Sequence, residues 1–247
     1  MIAVSIKNLK KNFRLTHSGQ ISLKQAALSF RRRKPDVVEA IRGISFDIDQ
    51  GETVAVIGRN GSGKSTLLGV CGKIYRPTSG EVIVNGRIST LLDLGAGFHP
   101  DLTGIENIYL YGAILGMSRK EINARMDNIV GFAELEDFID APIRTYSAGM
   151  TMRLGFSIAV QVDPNVLLVD EVLAVGDESF QLKCYDKVRQ FQEAGKTIIF
   201  VSHDMEAVRK VATRVIWMHY GVIRMDGEVD HVLEAYHKSS ERKTEEQ

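Results

Sequence analysis

Apolar and polar residues alternate from the start of the chain, with Ile2, Val4 and Ile6 set against Ala3, Ser5 and Lys7. A period of two predicts a half-buried first strand. Between residues 14 and 39 the pattern breaks. A polar stretch precedes a helix-compatible run from Ile21 to Phe30, and the basic run Arg31, Arg32, Arg33, Lys34 closes on Pro35. This reads as an insertion. Alternation resumes at Ile41, Ile44, Phe46 and Ile48, and after a Gln50-Gly51 turn the β-branched run Thr53–Ile57 ends in glycines. Further on, Ile122, Met126, Ile129 and Val130 are spaced for a helix, and Ser118 and Glu121 before them have the spacing of a capping box. Short apolar runs at Val166–Val169 and Ile198–Val201 read as buried strands, and Val215–Met218 and Val222–Met225 flank a Tyr220-Gly221 turn. Buried strands alternating with helices predict an α/β core around a parallel sheet. Residues 1–237 read as one unit, followed by a polar tail over 238–247.

Of the 247 residues, 44% are apolar and 25% charged, ordinary proportions that exclude a disordered chain. Lys and Arg total 31 and Asp and Glu total 31, so a surface built to coat nucleic acid is excluded while local patches are allowed. No apolar run approaches the roughly 18 residues needed to cross a bilayer, and the alternating N-terminus lacks the apolar stretch of a secretory signal. Cys71 and Cys184 are too few for a disulfide framework, which predicts a reducing, cytoplasmic setting.

Candidate chemistry begins where the Thr53–Ile57 strand ends. Gly58, Arg59, Asn60, Gly61, Ser62, Gly63, Lys64 and Ser65 fit G-x-x-x-x-G-K-[ST], followed by a helical run from Thr66 to Lys73. Glycines let the backbone curl so that successive N–H groups face phosphate oxygens, and the helix N-terminus adds partial positive charge. Residues 58–66 are thus the expected nucleotide contacts, with Lys64 reaching the β/γ-phosphates and Ser65 a ligand of Mg²⁺. A second piece, Val166–Glu171, is a buried strand that delivers two carboxylates at its C-terminal end. We read Asp170 as a metal ligand and Glu171 as the base that polarises the attacking water.

Tyr146-Ser147-Ala148-Gly149-Met150 precedes a helix-compatible run, and here the chain resembles an ATP-binding cassette (ABC) ATPase, whose signature reads L-S-G-G-Q. Ser147 and Gly149 match and the other three positions depart. The resemblance implies a P-loop NTPase fold with a RecA-like core, an antiparallel β subdomain and a helical subdomain at about residues 100–160. It implies ATP and Mg²⁺ as cofactors, and a homodimer in which Ser147 and Gly149 complete the site of the opposite copy. His203, in Ser202-His203-Asp204 after a buried strand, matches the family's switch histidine, and Asp177 matches the aspartate of the D-loop. Phe13 sits where the family stacks an aromatic on adenine; a core phenylalanine is the competing reading.

The family's glutamine between P-loop and signature is missing, since no Gln occurs from Gly51 to Val160. Asp93 or His99 is its candidate substitute. Leu94–Pro100, Leu102–Asn107 and the stretch from Asp170 to Asp177 resemble the subfamily that exports O-antigen, capsule and teichoic acid. That resemblance implies multi-span permease subunits as partners, a lipid-linked polysaccharide as cargo, no nucleic acid, and a peripheral position on the cytoplasmic face of the inner membrane. The 14–39 insertion then contacts the membrane surface, the permease or the substrate, while a solvated surface loop reads from the same charges. Some members extend into a C-terminal carbohydrate-binding domain, for which residues after 237 are too few. The alternatives are the ATPase of another transporter class and a non-transport ABC ATPase.

Overall fold

Three apolar runs, at Thr53–Ile57, Val166–Asp170 and Thr197–Val201, lie side by side as β3, β6 and β7 in the middle of a six-stranded sheet. The computed structural model describes residues 1–15, 36–92, 94–170 and 176–244. Within these, β1 (Ile2–Leu15) and β2 (Asp36–Asp49) form a long antiparallel ladder, and β4 (Ser79–Val84) pairs with the other edge of β1. The larger sheet has the order β5-β6-β7-β3-β8-β9, with β5 at Ile88–Leu91, β8 at Arg214–His219 and β9 at Val222–Gly227. All its neighbours are parallel except β8 and β9, a hairpin turning at Tyr220-Gly221.

The central strands are continuous apolar runs because both sheet faces are covered. In β3, Ala55 and Ile57 enter one core while Val54 and Val56 enter the other. Successive side chains of a strand point to opposite faces, so polar residues remain only at the strand ends, as Thr53, Thr197 and Asp170. One face is covered by α1 (Lys64–Cys71) and the β1–β2–β4 sheet, through Leu67, Leu68, Ile6, Ile41 and Ile48. The other is covered by α5 (Glu178–Glu193), α6 (Met205–Val211) and α7 (Val229–Thr244). On α5, Phe180, Cys184, Val188 and Phe191 recur every three or four residues, the stripe a helix lays on a sheet. Each fully buried Val, Leu or Ile contributes roughly 1.5–3 kcal/mol.

A third core, including Ile108, Ile122, Ile129, Leu154 and Ile158, joins α2 (Gly104–Ile114), α3 (Arg119–Ala133) and α4 (Ala148–Ala159) into a helical subdomain. Ser118 and Glu121 form the expected capping box on α3, and Thr103 and Glu106 form a second on α2.

Two boundaries differ from the sequence expectation. Arg14 pairs with Val37 and Leu15 with Asp36, so residues 14, 15 and 36–39 belong to the ladder rather than to the insertion. Backbone hydrogen bonding carries the strands past the point where side-chain alternation fades. Of the expected insertion, residues 16–35, including the helix-compatible run and the four cations, lie outside the described residues. The polar tail from Lys238 is also helical as far as Thr244. Its last apolar anchors are Ala235 and Tyr236, and Lys238 pairs with Glu234 one turn back at 3.7 Å.

Candidate active site

Parallel pairing sets the site's geometry. Asp170 is in register with Val201 on β7, and Val201 with Val56 on β3. The ends of three adjacent strands therefore form one row, with β6 and β3 about 10 Å apart at ~4.8 Å per strand. Asp170 closes β6, the loop at 58–63 follows β3, and Ser202 and His203 follow β7 between them. This carboxyl edge is where open α/β sheets take ligands.

The loop turns tightly onto its neighbours. A Cβ on Gly58 would lie 2.2 Å from the Met218 carbonyl oxygen and one on Gly63 would lie 2.5 Å from that of Ala40, so both approaches require glycine. Gly61 differs: space around it is open, and its φ of +78° alone selects glycine. The loop is held from outside as well, because the Gly221 N–H donates to the Ser62 carbonyl at 3.0 Å and the Arg42 N–H to the Gly221 carbonyl at 2.8 Å. Lys64, 7% exposed, donates its ammonium to the carbonyls of Gly58 at 2.8 Å and Arg59 at 3.2 Å. Its charge is thereby fixed inside the curl of the loop. Arg59, Asn60, Gly61 and Ser65 are exposed and Thr66 is half-buried. The first N–H groups of α1 are those a helix leaves without internal partners, and they open onto this edge. The Ser62 hydroxyl is buried without a hydrogen-bond partner.

Asp170 is half-buried at the strand end, and Glu171 lies outside the described residues. His203 is exposed beside Ser202 and Asp204, in a cleft also lined by Val169, Gln181 and Tyr185. Asp204 caps α6, accepting from the N–H groups of Glu206 and Ala207. Asp177 caps α5, and the Phe180 N–H and Ser179 hydroxyl hold its carboxyl below the ordinary range.

Ser147 is the N-cap of α4: its hydroxyl accepts from the Met150 N–H at 3.2 Å and remains exposed. Tyr146 beside it donates its hydroxyl to the Phe138 carbonyl at 2.7 Å, tying this corner to the helical subdomain. Phe13 is half-buried near the end of β1, with its ring edge-on to Tyr75 at 5.3 Å. Of the two candidates for the missing glutamine, Asp93 lies outside the described residues. His99 is engaged in the turn that enters α2: its Nδ1 accepts from the Asp101 N–H at 3.3 Å and its backbone N–H donates to Asn107 at 2.7 Å. Sequence reasoning missed Asn107, which is fully buried and fastens that turn through the carbonyls of His99, Leu102 and Thr103. Its signal was present as a polar residue on the apolar stripe of α2.

Comparison with known proteins identifies the family and the fold. The ABC transporter family model matches residues 41–174, more than half of the chain. An O-antigen export system ATP-binding protein of Klebsiella pneumoniae is 46% identical over 94% of this chain and 96% of its own length. One from Myxococcus xanthus is 48% identical over 97% of this chain, which spans 56% of that protein. A teichoic acids export ATP-binding protein of Enterococcus faecalis is 45% identical over 95% of this chain and 52% of its length. Among solved structures, the ATP-binding cassette MJ0796, a dimer in a post-hydrolysis state bound to ADP and Pi, superposes with a TM-score of 0.72 at 24% identity. That alignment covers 92% of this chain and 98% of the cassette. Phosphate loop, strand-end carboxylate, capped signature helix and cassette fold thus coincide in one chain that belongs to the ABC transporter family, among its ATP-binding subunits.

Proposed function

We infer that the chain is the ATP-hydrolysing subunit of an exporter of lipid-linked polysaccharide. The observation that carries the reading is the row Val56, Val201, Asp170, which gathers the Lys64 loop, His203 and Asp170 on one sheet edge. Residues 58–66 hold the triphosphate through backbone N–H groups and the Lys64 ammonium. The donors fit Mg²⁺: the Ser65 hydroxyl and the Asp170 carboxylate are hard oxygens at this edge, and Mg²⁺ characteristically takes one or two such ligands beside phosphate oxygens. When bound, it would neutralise charge on the β- and γ-phosphates. Glu171, next after Asp170, orients and deprotonates the attacking water, and His203 donates to the γ-phosphate.

Ser147 and Gly149 act on a second copy. Both lie at an accessible helix N-terminus, where a hydroxyl and bare backbone can meet phosphate. ATP would then join two chains, and hydrolysis would release them, a population shift driven by the difference in binding between open and closed states. Relatives named for O-antigen and teichoic-acid export support the cargo class. Among the described residues no helix is long and apolar enough to cross a membrane. The export systems for which the relatives are named imply multi-span partners, with this chain at the cytoplasmic face.

The test is Glu171→Gln. This variant should bind ATP with near-normal affinity, hydrolyse it at least about 100-fold more slowly, as expected on losing a general base, and accumulate as an ATP-bound dimer on size exclusion. Wild-type turnover would remove Glu171 from the mechanism.

A further inference from the structure

We propose that Tyr75, which belongs to none of the motifs, positions the Phe13 ring for the nucleotide base, within a box completed by Lys11. This rests on the reading of Phe13 as the base-stacking residue. Lys11 and Phe13 lie two apart on β1, either side of an irregularity in its pairing with β2. The Lys11 ammonium is 4.8 Å from the centre of the Phe13 ring and 5.5 Å from that of Tyr75, and it is anchored on the Arg76 carbonyl at 2.9 Å. The two rings meet at 86° with centres 5.3 Å apart, a favoured geometry that resists rotation of either.

Tyr75 is itself held against the phosphate-loop helix. Its N–H donates to the Gly69 carbonyl at 3.0 Å. A Cβ on Gly69 would lie 2.7 Å from the tyrosine ring, so glycine at that point is what lets the ring lie on α1. The box also stands at a suitable distance from the phosphates. Phe13 pairs with Val38, which lines a surface depression together with Gly61 of the loop. Ala40, two residues along β2, places its carbonyl against Gly63. Two residues along a strand and one step across put Phe13 on the order of 10 Å from the loop, the reach of a ribose and base from a bound pyrophosphate. Tyr75 stays 40% exposed, so this aromatic wall faces solvent where a base would arrive.

Binding of ATP and of inorganic tripolyphosphate to the full chain separates the base contribution from the phosphate contribution. Tyr75→Leu, which keeps an apolar side chain on Gly69, should weaken ATP binding about 10-fold, in the range of stacking losses, and leave tripolyphosphate binding unchanged. The KM for ATP should rise with kcat preserved, and Tyr75→Phe should restore wild-type affinity. Unchanged ATP affinity in Tyr75→Leu, or equal loss of both ligands, would overturn the proposal. Phe13→Ala identifies which idea has failed. If it weakens ATP while Tyr75→Leu does not, the role of Tyr75 falls alone; if neither weakens ATP, the assignment of Phe13 falls as well.

Discussion

Gly149 and Gly63 are both glycines at helix starts, yet the chain needs them for opposite reasons. Gly63 is required from within, by the Ala40 carbonyl against it and by its φ of +103°. Around Gly149 only the Ser147 hydroxyl comes near, at 3.8 Å, an ordinary contact, and no unusual φ is involved. Gly149→Ala should therefore stabilise the isolated chain by roughly 0.5–1 kcal/mol, since alanine restricts the unfolded chain and favours helix. If a second copy's nucleotide approaches that bare backbone, the same variant should lose ATP-dependent dimerisation and most of its ATPase. Thermal melting and size exclusion with ATP read the two effects separately, and a variant that dimerises normally would place the partner contact elsewhere. The glycine spacing of the 58–65 loop was legible in sequence because it is local, although Gly58 and Gly63 answer to Met218 and Ala40 from distant strands. Tyr75 was not, because its ring partner Phe13 comes from a strand that only folding brings near, and Asn107 showed only as a polar residue on an apolar helix stripe.

Among the helices, caps decide boundaries more sharply than apolar spacing does. Thr103 with Glu106 and Ser118 with Glu121 each close a reciprocal box, and these hydrogen bonds hold both glutamate carboxyls below their ordinary value of 4.5. A carboxyl depressed in the folded state contributes stability that is fully present above its unfolded pKa and is lost as pH falls through the folded one. The helical subdomain should accordingly lose stability as pH falls below about 4.5. Glu106→Gln with Glu121→Gln should flatten that acid dependence while leaving stability at pH 7 only slightly lower, as followed by circular dichroism across pH. An unchanged acid profile would assign the sensitivity to other carboxylates. The Ser118 box was readable as a spacing. The extension of β1 and β2 to Leu15 and Asp36 was not, because ladder hydrogen bonding leaves no mark in side-chain polarity.

For the whole molecule, a neutral chain folds as an ABC cassette with no helix among its described residues long and apolar enough to cross a membrane. Its clustered charge, Arg31 to Lys34, follows the helix-compatible run Ile21–Phe30 in the sequence between β1 and β2. Each cation near an anionic headgroup surface is worth about 1 kcal/mol. Replacing Arg31, Arg32 and Arg33 with Ala should impair polysaccharide export in cells and leave basal ATPase of the purified chain intact; normal export would end the idea of a membrane-facing role. By itself the sequence determined the buried strands and the cassette class, since the strands are apolar runs buried on both faces and the class rests on motifs whose residues lie close together in the chain. Only the tertiary structure decided that Asp170, Val201 and Val56 share one row, that β8–β9 braces the loop through Gly221, and that Phe13 leans on Tyr75. Those relations join residues tens to more than a hundred positions apart, and their registers are set by packing and hydrogen bonding that no local pattern encodes.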